Sequence, residues 1–150
     1  MKTILLSFFT LLIAAPATFS QSYTERQLQD MFMDMLEDRD IEGWIDADGD
    51  IQFEHGDYTM FIEINEEDNE FFRVVLPNIW PIESDSEEVM VAFACNAVNS
   101  TKKTVKAYIT QDNVWIAIEL FVKDQKNIEP IFDRSVDVIY EAVEMFVDNM

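Results

Sequence analysis

Residues 43–64 read GWIDADGDIQFEHGDYTMFIEI, and two turn signals divide the stretch into strands. Asp48-Gly49 favours the positive φ angles of a tight hairpin, and Trp44-Ile45-Asp46 and Ile51-Gln52-Phe53 flank it. His55-Gly56-Asp57 is a second turn. After it Tyr58, Met60, Ile62 and Ile64 alternate with Thr59, Phe61, Glu63 and Asn65, the pattern of a strand with one buried face. A charged turn over 66–70 leads into a strand over 71–76. Pro77 and Pro81, which have no N–H to donate, are expected to end its ladder. Strands joined by turns this short must run antiparallel.

Outside this block the period changes to that of helices. Leu28, Met31, Phe32, Met35 and Leu36 make one apolar stripe, and Thr24 with Gln27 forms a capping box before it. Gly43 is placed as the left-handed residue that closes this helix. A second helix is predicted from Ser84, Asp85 or Ser86, with Glu87 and Glu88 in its first turn. Its apolar content, including Val89, Ala92, Phe93, Cys95 and Ala97, predicts burial. Residues 104–110 and 114–121 form a hairpin around Gln111-Asp112-Asn113. A last helix is placed from Asn127–Pro130 onward, its core stripe running from Ile131 and Phe132 through Ser135, Val136, Ile139, Ala142 and Val143 to Phe146 and Val147. The predicted order is α-β-β-β-α-β-β-α, the Trp44–Asp46 strand being countable separately. The fold class is α+β, an antiparallel sheet with helices at start, middle and end covering a face.

The chain has 150 residues, 30 acidic against 10 basic, and a formal net charge of −20. That length makes one domain, and the charge repels phosphate backbones, so nucleic-acid binding is excluded as an expectation. A single Cys95 excludes an internal disulfide framework. The opening residues MKTILLSFFTLLIAAPATFS have the layout of a secretory signal peptide: Lys2, an apolar run over Ile4–Ala15, then small residues after Pro16. The apolar run is short of the ~20 residues of a membrane span, so no stable anchor is expected after cleavage. Cleavage is placed after Ala17 or Ser20, with Ser20 preferred. This assigns 1–20 to the leader and 21–150 to one domain, periplasmic or secreted.

Few residues carry chemical potential. A Cys/His pair would need Cys95 near the sole histidine, His55, but Cys95 lies mid-helix with no neighbouring cation and reads as core. No G-x-S-x-G motif accompanies His55, which reads as an exposed turn residue. Asp46, Asp48 and Asp50 suit calcium by type, but the register places Ile51 where an EF-hand needs glycine and Asp57 where it needs glutamate. Met31, Met33 and Met35 cannot converge on soft copper from one helix. Paired carboxylates of a hydrolase occur by chance in so acidic a chain. Asn99-Ser100-Thr101 is a glycosylation sequon only for a chain handled by a glycosylating system. No cofactor and no metal site is assigned.

The segment FFRVVLPNIWP at 71–81 is the most unusual. Phe71 and Phe72 point to opposite faces of a strand, so one of them needs cover from a helix, another chain or water. Phe71, Arg73, Trp80 and Trp115 are the candidate binding residues, because aromatic and arginine side chains are typical interface anchors.

Residues 43–64, together with FFRVVLPNIW, AFACNAVNSTKKTVKAYI, NVWIAIELFV and FDRSVDVIYEAVEMF, resemble the bacterial YbjN-type sensory transduction regulator family from about residue 24 onward. The resemblance implies a fold similar to type III secretion chaperones, which clamp segments of other proteins, commonly as dimers, without catalysis. It supplies no catalytic residues, and the leader departs from the family's cytoplasmic members. The expected function is therefore an exported, non-enzymatic protein- or peptide-binding domain. A homodimer is the implied assembly, and a carboxylate-dependent extracytoplasmic hydrolase is the alternative.

Overall fold

The computed structural model describes residues 22–150; the signal peptide expected over residues 1–20 lies outside them. Helix α1 (Glu25–Glu37) is followed by strands β1 (Gly43–Ile45), β2 (Ile51–His55), β3 (Tyr58–Ile62) and β4 (Phe71–Pro81). Helix α2 (Asp85–Thr101), strands β5 (Val105–Thr110) and β6 (Asn113–Phe121), a 3-10 segment (Gln125–Ile131) and helix α3 (Phe132–Asp148) complete the chain. The six strands form one sheet in the order β1-β2-β3-β4-β6-β5, every neighbouring pair antiparallel. This is the α+β order read from the sequence, with the short β1 counted as its own strand.

The caps and turns act as their residue types dictate. Thr24 and Gln27 close both halves of the capping box, and the Ser84 side chain accepts from the Glu87 N–H. Gly49 and Gly56 take φ of 92° and 59° in the first two hairpins. The end of α1 differs from expectation. The residue with positive φ is Asp40, at 55°, while Gly43 already belongs to β1. Glycine is needed at 43 for space, since a Cβ there would meet Leu36 Cδ1 at 2.8 Å and the Gln52 carbonyl oxygen at 3.3 Å.

β4 also differs, because it runs through Pro77 to Pro81. β3 pairs with β4 only at Val74 and Val75, so beyond Leu76 one side of β4 needs no ladder donor. A register shift between Leu76 and Trp80, with Asn78 at φ 57°, accommodates the proline and restores pairing to β6.

All three helices pack on one face of the sheet. Their core joins Leu28, Phe32 and Leu36 to Phe53, Met60, Phe72, Leu76, Ile116, Phe132 and Phe146. The buried stripe of α2 is Val91, Ala94, Cys95 and Val98, whereas Val89 and Phe93, expected inside, are exposed. Pro130 sits in the 3-10 segment, and α3 begins two residues later at Phe132. Ile131 and Val147 fall outside its buried stripe.

Candidate functional site

Because side chains alternate along a strand, residues next to the core positions project from the opposite, helix-free face. Pairing aligns Trp44, Gln52, Phe61, Val75, Ala117 and Lys106 in one row across all six strands. Val75 and Ala117 are fully buried without joining the main core, so the longer side chains of this face roof them over. Phe61 meets Trp115 edge-on at 5.8 Å, and Tyr108 lies 6.4 Å from the same indole. The Trp115 indole N–H donates to Asn78 Oδ1 at 3.1 Å, so the positive-φ residue of the β4 irregularity orients the ring.

Arg73 stands in the middle of this surface. Its Nη1 donates to Glu63 Oε2 at 2.6 Å and its Nη2 to the Tyr108 hydroxyl. Nε lies 3.4 Å from Glu119 Oε1, close enough for an ion pair but not aligned to donate to it. Lys106 Nζ reaches the same Glu119 carboxylate at 3.3 Å. Burial works against the Arg73 charge, but the Glu63 hydrogen bond and the neighbouring charges outweigh it and raise its pKa. Burial raises the Tyr108 phenol despite the opposing Arg73 charge. The result is an arginine clamped between carboxylates, with its guanidinium carbon 5.9 Å from the centre of the Tyr108 ring.

The structure brings three of the four expected binding residues to this face. Phe71 lies at one corner, its ring 5.7 Å from Phe121, which is 85% exposed. Arg73 and Trp115 are central. Trp80 is on the other side: its ring packs 6.0 Å from Phe146 and its indole N–H donates to Glu87 Oε1 at 2.9 Å. Because β4 continues through Pro77, Trp80 falls on the side opposite to Phe71 and Arg73. Trp44, Phe61, Tyr108, Glu63 and Glu119 complete the surface and were not singled out. Phe61 alternates with the buried Met60 and Ile62, which already marked it as outward-facing.

The other chemical candidates have structural partners. Cys95 is buried, and burial pushes its thiol up to about 11, away from nucleophilic use. His55 is half-buried, not exposed, with Nδ1 2.9 Å from the Tyr140 hydroxyl. Tyr140 gives its proton to the His55 carbonyl, so the remaining contact assigns a proton to His55 Nδ1.

Asp46 Oδ1 accepts from the Asp48 and Asp50 N–H groups, and Oδ2 accepts from Gln52. Asp50 Oδ1 accepts from the Ile64 N–H at 2.8 Å. The Gln52 hydrogen bond, with help from the backbone donors, lowers the Asp46 pKa, while burial raises that of Asp50. These carboxylates build the hairpin and tie it to the end of β3. Met35 is buried, with Met31 and Met33 half-buried against the core. Asn99 uses both ends of its amide on the Ala107 N–H and carbonyl, at 2.8 Å each, and so closes part of the β5 edge. Among the described residues no group of three or more His, Cys, Asp or Glu could hold a metal ion, and no helix is long and apolar enough to cross a membrane.

The family model of YbjN, described as "Putative bacterial sensory transduction regulator", matches residues 28–149. The chain belongs to this family. A solved structure described as "Crystal structure of YbjN, a putative transcription regulator from E. coli" is similar to it with a TM-score of 0.57 at 17% identity. The likeness covers 77% of this chain and 87% of the YbjN chain, and it shows a shared fold. No curated protein matches. The matched residues run from within α1 to just beyond the end of α3, so the helix-free face and the Arg73 clamp both lie within the family's domain.

Proposed function

We propose that this YbjN-family chain is an exported, non-catalytic binding module that takes a protein or peptide segment on the helix-free face of its sheet. One observation carries the reading: all three helices pack on one face, and the other displays Trp44, Phe61, Tyr108 and Trp115 around a fixed Arg73. A monomer normally covers or polarises such a face, and exposed aromatic side chains together with an arginine are the composition of an interface core. The aromatics bury area with little loss of rotamer freedom, and Arg73 offers a flat, preorganised contact. The acidic surround speeds the approach of basic partners. Export is supported by Lys2 and the apolar run over 4–15.

A photoreactive residue at Phe61 tests the reading in a cell-envelope extract, with one at Asp137, exposed on α3, as control. The expected result is a discrete adduct from 61, none from 137, and loss of the adduct in Trp115→Ala. The same adducts from both positions, or an adduct that survives Trp115→Ala, would remove the sheet face from the account.

A further inference from the structure

A groove of about 230 Å³ opens on the helix side, between the first turns of α3 and the open end of the β5–β6 hairpin. Ile118, 1% exposed, lines it with the half-buried Leu120 and Val138, and Ile131, 37% exposed, stands at its rim. Thr104, Arg134 and Ser135 supply its polar lining. Both hydroxyl protons are used within the chain: Ser135 Oγ donates to the Ile131 carbonyl at 2.9 Å, and Thr104 Oγ1 donates to the Lys103 carbonyl. Arg134 is the lining side chain left with donors to offer.

Unpaired cations are scarce in this chain. Of its ten basic residues Lys2 lies outside the described ones, and Arg26, Arg39, Arg73, Lys102 and Lys106 are held in salt bridges. Arg134 is exposed and forms no salt bridge among the described residues, nor does Lys103, the neighbour of Thr104. The acids around the groove have other partners: Lys102 holds Glu141, Arg39 holds Asp133, and Arg73 with Lys106 holds Glu119. Asp137, three residues along α3, makes no ion pair with Arg134.

We infer that this groove binds a small alkyl carboxylate, its head on Arg134 and its tail against Ile118, Leu120, Ile131 and Val138. A guanidinium presents two parallel N–H donors that match the two oxygens of a carboxylate. A sugar would need several polar partners, and the two hydroxyls of the lining have none of their protons to give. The chain's charge of −20 opposes a phosphate dianion about twice as strongly as a monoanion. The volume lies below the ~300–1,000 Å³ of sites for drug-sized ligands, which limits the tail to a short or medium chain. The inference is independent of the proposed sheet-face function, because Ile118 and Leu120 alternate with Glu119, which lies on the other face.

Titration of the purified chain with octanoate, read from its isoleucine and valine methyl signals, tests it. The expected result is a saturable shift of Ile118, Ile131 and Val138 below about 5 mM. Octanol and octylammonium, which carry the same tail, should bind at least about tenfold more weakly, and hexanoate about tenfold more weakly than octanoate. Arg134→Gln should lower octanoate affinity about tenfold, to the level of octanol, with octanol binding and far-UV circular dichroism unchanged. Arg26→Gln, on α1, should leave octanoate binding as it is. Absence of saturation in the unaltered chain, octanol bound as tightly as octanoate, or a preference for octanoate that survives Arg134→Gln would overturn the inference. So would shifts confined to Val75, which would place the ligand on the helix-free face.

Discussion

Replacing Arg73 by methionine keeps the length of the side chain and removes the charge from between Glu63 and Glu119. The three side chains are 21%, 31% and 27% exposed. An exposed ion pair is worth about 0–1 kcal/mol, and breaking a fully buried one costs about 3–5 kcal/mol. With roughly three quarters of the cluster out of water, the loss for Arg73→Met falls near ~2–3 kcal/mol at neutral pH, including about 1 kcal/mol for the unpartnered Tyr108 hydroxyl. For a domain of this size that lowers Tm by about 8–12 °C.

Most of the loss comes from Glu63 left without a cation and Glu119 left with Lys106 alone, so neutralising both carboxylates by substitution must shrink it. Urea unfolding followed by tryptophan fluorescence at pH 7 reads the loss. A triple variant with Glu63→Gln and Glu119→Gln added to Arg73→Met should recover much of the stability, because it removes the stranded charges. A loss under ~0.5 kcal/mol at pH 7, or one that the triple variant does not reduce, would refute the reasoning that the cluster is an electrostatically coupled unit.

Three further outcomes follow from the same structure. Gly56→Ala forces a side chain onto a residue at φ 59° whose Cβ would lie 2.8 Å from the Tyr140 hydroxyl. It should destabilise by ~1–2 kcal/mol in thermal melts and break the His55–Tyr140 contact, seen as a shift of the only histidine's ring signals. Asp46→Asn removes an acceptor whose pKa is lowered chiefly by Gln52. The carboxylate's contribution is present above the unfolded-state pKa and lost as pH falls through the lower folded value, so the deficit against wild type should be full at pH 7 and vanish in acid. Cys95, with its thiol pushed up to about 11 by burial, should resist alkylation at pH 8 in the folded chain and react at once in denaturant. Because its folded pKa is the higher one, stability should decline as pH rises from the unfolded value towards about 11.

Local signals in the sequence had local physical causes, and those were legible. The Thr24–Gln27 box, the Ser84 cap, Asp48-Gly49 and Gly56 each determine their own backbone within a few residues, and the structure uses all of them. Features set by distant neighbours were not legible. Gly43 reads as a cap until Leu36 and Gln52 are known to crowd it. Pro77 reads as a terminator until β3 is known to end short of it and leave that side of β4 unpaired.

The apolar content of α2 predicted burial, but burial depends on which side meets the sheet, and Phe93 is on the other side. For the site, alternation in 58–65 already placed Phe61 outward, whereas the side taken by Trp80 followed only once β4 was seen to continue through Pro77. The Arg73 clamp, by contrast, draws Glu63 from just beyond β3, Tyr108 from β5 and Glu119 from β6, a set that only the tertiary pairing reveals.

The three tryptophans of the chain report on the two sides of the sheet separately, Trp44 and Trp115 on the helix-free face and Trp80 beside Phe146. Indole N–H spectra of nitrogen-labelled protein, titrated with the partner captured through position 61, measure which side binds. The account predicts that the Trp44 and Trp115 signals move while Trp80 stays in place. Movement of Trp80 with Trp44 and Trp115 unchanged would contradict it.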